Sequence, residues 1–236
     1  MVADRTPSIS QVVWPKSHRI IRSIYPTVHL FEDIAAPSDW DLIISAEMKT
    51  NPRLREEAGD ISLIPVERRV SGPGATMVMA PFSHFSRDLP TRYSDGSYGV
   101  YHAGDRFEVA LNETVHHYEN FMRRTAEPAS AEDFRELVGA IDHGFHNLRG
   151  DDRFDDCLDP DSYGVSQTLG RRLRDEGSDG IVYPSVRYPA GDAVAAFWPD
   201  TVGIPAQGRH FRYSWTGERV DRYLVYGEDD WRELPV

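Results

Sequence analysis

The fold is decided by the stretch YGVYHAGDRFEVALNETVHHYENFMRR, residues 98–124. Residues 98–103 predict a short strand, which Gly104 and Asp105 end. From Asp105 to about Arg124 the apolar residues recur mostly at spacings of three and four, which is typical of one buried face of a helix. That face is predicted to consist of Phe107, Ala110, Leu111, Thr114, Tyr118 and Phe121. The stretch therefore predicts a strand that leads directly into a long amphipathic helix.

The segments on either side of this stretch mix strand and helix patterns without a regular alternation. Strands are predicted at 17–25, 75–80, 180–186, 193–198, 210–215 and 220–226. Helices are predicted at 38–50 and 163–176, the latter ended by Gly177, with a short helix between Pro52 and Gly59. Residues 134–141 fit either helix or strand. Because the regular βαβ order of a doubly wound sheet is missing, the sequence predicts an α+β fold.

The composition is that of a globular protein with an acidic surface. The chain has 236 residues, of which 40% are apolar, and a formal net charge of -12. An acidic surface repels a phosphate backbone, so nucleic acid is not expected as the primary ligand, although a local basic pocket can hold a small phosphate ligand. Cys157 is the only cysteine, which fits a reducing compartment, and no apolar run is long enough to span a membrane. We therefore expect a soluble, cytoplasmic protein without a secretion signal.

The domain organisation is expected to be simple, because no shift in composition marks a linker. Residues 1–75 are predicted to form a partly helical N-terminal extension that packs on a catalytic core. The core is predicted to span residues 76–236, and the two parts are expected to form one compact unit.

A polar stripe lies along one margin of the apolar face of the predicted helix. It consists of Arg106, Glu113, His117 and Asn120. One interpretation is that the stripe lines a cleft, where partial desolvation would raise the pKa of Glu113 and strengthen its attraction to a developing cation. The other is a solvated helix flank, with i,i+4 pairing between Glu113 and His117. Spacing alone favours the solvated flank.

Three further positions carry residue types that can contact a ligand. Arg92, in the segment Arg92-Tyr93-Ser94-Asp95-Gly96, can clamp a phosphate or lie in an ordinary surface turn. The ring of Tyr101 can stack on a flat heterocycle or belong to the core. Ser185, at the end of a buried strand, can donate to a ligand or to nearby backbone. Taken one at a time, each position favours the structural interpretation.

The sequence lacks the motifs of several common enzyme classes. Ser185 does not lie in a G-x-S-x-G elbow, and no order of Asp and His supports a catalytic triad. A metal site is not expected, because there is no H-E-x-x-H and the neighbours His116 and His117 point to different helix faces. Neither G-x-G-x-x-G nor G-x-x-x-x-G-K-[ST] occurs, which excludes the usual dinucleotide and P-loop fingerprints. Cys157 follows an acidic run and is interpreted as structural.

Taken together and in order, several segments resemble the RES-domain family, which is named for an Arg, a Glu and a Ser. They are scattered through most of residues 17–200. The segments are His18-Arg19-Ile20-Ile21, Arg92-Tyr93-Ser94-Asp95-Gly96, Tyr98-Gly99-Val100-Tyr101-His102-Ala103, Ala110-Leu111-Asn112-Glu113-Thr114, Ser166-Gln167-Thr168-Leu169-Gly170 and Asp179-Gly180-Ile181-Val182-Tyr183-Pro184-Ser185. The segments Thr50-Asn51-Pro52-Arg53-Leu54 and Met79-Ala80-Pro81-Phe82-Ser83-His84 resemble a longer subfamily with an N-terminal extension, in which residues 76–236 would be the RES catalytic domain.

The resemblance implies a mixed-sheet fold similar to that of ADP-ribosyltransferases. It also implies the toxin of a toxin–antitoxin pair, an enzyme that cleaves NAD at the nicotinamide–ribose bond with phosphate, water or a protein as acceptor. NAD would be the substrate, no metal would be needed, and an Xre-like antitoxin would block the cleft. The alternatives are a mono-ADP-ribosyltransferase that modifies one specific protein and an inactive binding module.

The resemblance also implies roles for individual residues. Arg92, Glu113 and Ser185 would be catalytic: Glu113 would stabilise the developing ribosyl cation, and Ser185 would bind ribose or orient Glu113. Arg92 would bind the pyrophosphate together with Arg19, for which Arg22 is the competing choice. The remaining NAD-binding positions would be Tyr101, stacked on nicotinamide, Tyr93, Ser166 and Gln167.

Overall fold

One eight-stranded mixed sheet dominates the structure. This computed structural model describes residues 5–25, 36–47 and 59–235. The strands are β1 (Ile9–Arg22), β2 (Tyr101–Gly104), β3 (Ser130–Asn147), β4 (Gly180–Pro184), β5 (Asp192–Ala196), β6 (Ala206–Trp215), β7 (Val220–Val225) and β8 (Trp231–Glu233). The predicted α+β class and all of its predicted strands except 75–80 are confirmed, and β1 begins earlier than expected, at Ile9.

β3 is the central strand, and it settles the open question about residues 134–141. Along one edge it pairs with β1, from Ile9 opposite His146 to Arg22 opposite Phe134. Along the other edge it pairs first with β6 and then, in parallel, with β4. Because β1 also meets β2, the pairings close a ring of β1, β2, β5, β4 and β3, and β6 to β8 extend the sheet beyond it.

The described residues form four α-helices. They are α1 (Trp40–Glu47), α2 (Ala75–Ser83), α3 (Phe107–Thr125) and α4 (Gly164–Asp175). The helix predicted at 163–176 is confirmed as α4, and Gly177 follows it with a φ of 86°, a left-handed conformation that suits glycine. The predicted short helix between Pro52 and Gly59 lies almost wholly outside the described residues. None of the described helices is long and apolar enough to cross a membrane.

α3 confirms the long helix predicted after Asp105, but its buried face includes Val115 and Met122 in place of the predicted Thr114 and Phe121. Phe121 was expected to be buried but is 44% exposed, and the Arg22 guanidinium lies over its ring. Rotation by 100° per residue aligns positions 111, 115, 118 and 122, whereas 121 lies about 80° away from them. The buried residues that pack on aromatic side chains of β3, β6 and β7 are Phe107, Ala110, Leu111, Val115, Tyr118 and Met122.

The strand prediction for residues 75–80 is wrong, because this segment is the first part of helix α2. The run Ala-Thr-Met-Val-Met-Ala is short and almost wholly apolar, and such runs do not distinguish a buried helix from a strand. Alanine and methionine favour helix, and Val78, Met79 and Phe82 belong to the same buried core cluster as Trp40 of α1.

The N-terminal segment contributes strand β1 to the same sheet as the later strands. β1 lies inside the predicted extension 1–75, yet it pairs with β3 along nearly its whole length. Trp40 of α1 is 1% exposed and belongs to the core cluster that also contains Tyr101 of β2. The extension therefore supplies structure to the sheet that carries the candidate site.

Two helices position the candidate site on this sheet. α3 contacts β1 and β2, and α4 contacts β4. α4 also approaches the turn that carries Arg92, because it has glycine at position 170. A Cβ atom at Gly170 would lie 2.3 Å from the Tyr93 carbonyl oxygen, so a larger residue would push the turn away.

Candidate active site

Arg92 lies in a tight turn whose backbone is hydrogen-bonded to side chains of α4. Thr91 and Ser94 pair across the turn, and Arg92 is 5% exposed. Ser166 Oγ donates to the Arg92 carbonyl at 2.6 Å, and Gln167 Nε2 donates to the Thr91 carbonyl at 2.9 Å. These two side chains, which the resemblance assigned to NAD binding, therefore support the backbone on either side of Arg92.

The Arg92 guanidinium keeps an unused donor. Nη1 donates to the main-chain carbonyl of Asp159 at 2.7 Å and to that of Cys157 at 3.4 Å, and the ring centroid of Tyr163 lies 4.6 Å from the guanidinium carbon. Nη2 is buried and has no hydrogen-bond partner among the described residues. A buried charged donor without an acceptor is unfavourable, and an anionic ligand would supply the missing acceptor.

Glu113 faces this arginine from α3. Its Oε1 accepts a hydrogen bond from Ser185 Oγ at 3.1 Å, and the main-chain N–H of Arg187 lies near enough to stabilise the charge of the carboxylate. Burial raises the pKa of Glu113, while Arg92, Ser185 and Arg187 oppose that rise because they stabilise the charged form. The cleft interpretation of the polar stripe thus fits Glu113, and the side chain is partly desolvated rather than solvated on a helix flank.

Ser185 is fixed by the turn between β4 and β5. Its main-chain N–H donates to the Gly191 carbonyl at 2.9 Å, and its Oγ accepts from the Tyr188 N–H at 3.1 Å. The residue is 3% exposed. Because its hydroxyl proton is directed at Glu113, Ser185 orients that carboxylate, which is one of the two roles that the resemblance implied.

Arg19 and Arg22 have different surroundings. Arg22 forms an ion pair with Glu132 at 3.0 Å. Arg19 forms no ion pair with a carboxylate in the described part of the chain; its Nη1 donates to the His102 carbonyl at 2.9 Å, and burial lowers its pKa. Its charge also contributes to the lowered pKa of His102 and His117, so it acts on the same cleft as Arg92. The geometry favours Arg19 over Arg22 as the anion-binding residue.

The two tyrosines assigned to NAD binding are both buried. Tyr101 is 1% exposed, and the Arg19 guanidinium lies 4.8 Å from its ring centroid. Tyr93 is fully buried, its ring meets that of Tyr183 edge to face, and its hydroxyl has no hydrogen-bond partner within the described ranges. The Arg19 guanidinium covers the ring of Tyr101 in this structure. Stacking of Tyr101 on nicotinamide stays a prediction.

Sequence reasoning missed His102, Tyr183 and Arg187 as site residues. Nδ1 of His102 lies 3.4 Å from the Tyr183 hydroxyl oxygen, and its Nε2 is buried with no partner among the residues described. Burial, assisted by Arg19 and other cations, lowers the pKa of His102 to about 3. The available signals were strand alternation, which places His102 on the face opposite Tyr101, and the position of Arg187 two residues after Ser185.

The arrangement combines one carboxylate with several cations in an otherwise acidic chain. Arg19, Arg92 and Arg187 act on the cleft, while His102 and His117, with a pKa of about 3 and about 4, are neutral at physiological pH. Such a site can bind an anionic ligand and stabilise a positive charge that develops beside Glu113. No group of three or more His, Cys, Asp or Glu side chains within the described residues is arranged to hold a metal ion.

Comparison with known proteins finds similar chains and one matching family. The chain is 27% identical over 222 residues to the uncharacterized protein y4oC of Sinorhizobium fredii (strain NBRC 101917 / NGR234), covering 90% of this chain and 87% of that one. The crystal structure of the M. tuberculosis MbcT–MbcA toxin–antitoxin complex contains a chain with a TM-score of 0.45 and 9% identity, covering 92% of this chain and 90% of that one. Residues 66–216 match the RES domain. The chain therefore belongs to the RES-domain family.

Proposed function

We propose that this protein cleaves NAD at the bond between nicotinamide and ribose. The observation that carries the proposal is that the Arg92 charge acts on the Glu113 carboxylate in one cleft. Glu113 is a partly desolvated carboxylate oriented by Ser185 Oγ at 3.1 Å, and beside it Arg92 offers a buried Nη2 that lacks an acceptor in the described chain. NAD presents the two complementary features, a diphosphate and a ribose carbon that becomes positively charged as the bond breaks.

Glu113 supplies the electrostatic part of the reaction. As the bond to nicotinamide lengthens, the ribose gains oxocarbenium character, and an oriented carboxylate stabilises that charge more than it stabilises the ground state. The hydrogen bond from Ser185 restrains the carboxylate before the substrate arrives, and the nearby Arg187 N–H stabilises its charge. Preorganisation of this kind avoids reorientation during the reaction.

The leaving group explains why the cleft needs no strong acid. The nicotinamide ring of NAD is cationic and departs as a neutral molecule, so its departure requires no proton. His102 and His117 are neutral at physiological pH, because the pKa of the former is about 3 and that of the latter is about 4. Neutral histidines beside the cleft add no positive charge that would oppose the developing ribosyl cation.

Binding would depend on the arginines. The free Nη2 of Arg92 and the guanidinium of Arg19 are proposed to bind the diphosphate and thereby set the position of the ribose relative to Glu113. Ser166 and Gln167 contribute indirectly, because they hold the turn from which Arg92 extends.

We also propose a biological role as the toxin of a toxin–antitoxin pair that depletes cytoplasmic NAD. An enzyme that consumes NAD harms its own cell, so an inhibitor made alongside it is expected. A small Xre-like antitoxin could insert a carboxylate, such as a chain terminus, against the unused donor of Arg92. Family membership and the uncompensated arginines support this role.

The experiment is to incubate the purified protein with NAD, with and without inorganic phosphate, and to identify the products by mass spectrometry. Free nicotinamide together with ADP-ribose or its 1-phosphate supports the proposal and names the acceptor. ADP-ribose attached to a protein in a cell extract, without free sugar product, would instead identify a mono-ADP-ribosyltransferase. Unchanged NAD under all conditions contradicts the proposal.

A further inference from the structure

Arg187 joins the turn that carries Ser185 to helix α3. Its Nη2 donates to His116 Nε2 at 2.9 Å and also donates to the Pro160 carbonyl. Its main-chain N–H lies near the Glu113 carboxylate and stabilises the charged form. Arg187 thus acts on Glu113 through its backbone, and its side chain contacts the residue one helical turn beyond Glu113.

His116 acts as the hydrogen-bond acceptor for this arginine. Its Nε2 lies 2.9 Å from Asn120 Nδ2 as well as 2.9 Å from Arg187 Nη2. Both neighbours are N–H donors, so Nε2 carries no proton and the ring proton resides on Nδ1. Burial, followed by Arg187 and other nearby cations, lowers the pKa of His116 to about 4, which keeps the ring neutral. Arg187 forms no ion pair with a carboxylate in the described ranges, so its position depends on neutral acceptors.

We propose that Arg187 is a positioning residue for Glu113. Its guanidinium, bound to His116, fastens the turn between β4 and β5 to α3 and thereby keeps Ser185 Oγ and the Arg187 N–H directed at the carboxylate. The catalytic part of this inference rests on the proposed function, but the orientation and ionisation of Glu113 do not.

The charge and the geometry of Arg187 have separable effects. The charged and titratable groups that act on Glu113 are Arg92 from the turn before β2, Arg187 from the β4–β5 turn, and the phenols of Tyr93 and Tyr183. Removal of the Arg187 charge should raise the pKa of Glu113 further. Removal of its His116 contact should disturb the geometry while the charge remains.

The test compares Arg187→Gln, Arg187→Lys, His116→Leu and His116→Gln with the wild type, using NMR of isotope-labelled glutamate carboxyls to titrate Glu113 and steady-state kinetics with NAD. Arg212→Gln is the matched control, since this half-buried arginine of β6 pairs with Asp133 of β3 at 2.7 Å. Thermal melts identify the variants that remain folded.

Arg187→Gln is expected to raise the pKa of Glu113 and to lower kcat up to about 10²-fold, the loss typical of a misplaced catalytic group. Arg187→Lys should return the pKa towards the wild-type value but restore little activity, because lysine lacks the planar guanidinium. His116→Leu should lower kcat, and His116→Gln, which keeps an acceptor, should recover part of it. Arg212→Gln should change neither readout.

A folded Arg187→Gln protein with an unchanged Glu113 pKa and unchanged kcat would overturn the proposal. If that variant does not fold, the two His116 variants provide the test. A wild-type kcat in His116→Leu refutes the positioning role. If the wild type leaves NAD intact, the proposed function fails, and the titration alone then tests whether Arg187 acts on Glu113.

Discussion

Replacement of Glu113 by glutamine separates the chemistry of the site from its structure. The amide carbonyl of glutamine can accept the hydrogen bond now donated by Ser185 Oγ, so the local geometry should persist. The negative charge is lost, and with it the stabilisation of the ribosyl cation. Loss of one preorganised electrostatic group costs about 2.7–4 kcal/mol, which corresponds to a fall in kcat of roughly 10²–10³-fold.

The same substitution should not reduce stability at neutral pH. The folded-state pKa of Glu113 is raised by burial, so between its unfolded and folded pKa the folded protein binds more protons than the unfolded chain. The stability of the wild type therefore falls as the pH rises through that window, because the buried carboxyl must ionise. Glu113→Gln removes this penalty, and its advantage in unfolding free energy should shrink as the pH is lowered and the wild-type carboxyl becomes protonated.

The assay is nicotinamide release at saturating NAD, accompanied by chemical denaturation at neutral and acidic pH. Glu108→Gln is the matched control, since it makes the same acid-to-amide change on the same helix but outside the cleft. Near wild-type turnover in Glu113→Gln would remove Glu113 from the mechanism. If Glu113→Gln loses turnover and is also unfolded at neutral pH, Glu113 has a structural role and the assignment of a catalytic role is refuted.

Three further predictions follow from the same contacts. Arg92→Ala should raise the apparent KM for NAD as well as lower kcat. Arg92→Lys should recover only part of either, since lysine lacks the planar guanidinium that contacts the Asp159 carbonyl through Nη1 and leaves Nη2 for the ligand. Unchanged KM in both variants would assign diphosphate binding to another arginine. His102 is held neutral with a pKa of about 3, so as the pH falls below about 6.5 the unfolded chain takes up a proton that the folded protein does not, and stability declines. His102→Gln should make unfolding free energy less sensitive to acid, and an unaltered pH dependence in denaturant titrations would contradict this. A small antitoxin that occupies the cleft should compete with NAD and should bind the Arg92→Ala variant more weakly. Inhibition that leaves NAD binding intact would exclude insertion of the antitoxin into the cleft.

Sequence patterns predicted the elements that have strong periodicity. α3 was predicted because its apolar residues repeat over five turns, and α4 because Gly177 marks its end. The helix at 75–83 was mistaken for a strand because a short apolar run carries no period. The secondary structure of residues 134–141 was not decided by the sequence. These residues lie in β3, which pairs with β1 along one edge and with β6 and then β4 along the other, and local sequence does not contain these long-range pairings.

The candidate site was predictable in outline but not in its contacts. Glu113 and Ser185 lie 72 positions apart in the sequence yet share a hydrogen bond. Only the resemblance to a family placed them in one site, since neither residue stands out by spacing. Ser166 and Gln167 were assigned to the ligand, but their donors are used on the Arg92 turn. The role of His102 depends on burial and on an unpaired ring nitrogen, and that of Arg187 depends on its contact with His116; both appear only when the chain is folded.

The most direct measurement of the central claim is a crystal structure of Glu113→Gln grown with intact NAD, since slow turnover should preserve the substrate. We expect the diphosphate at Arg92 Nη2 and the nicotinamide-bearing ribose carbon beside the side chain at position 113. NAD bound in another part of the fold, or with its adenine end beside position 113, would contradict the proposed NAD cleavage by Glu113.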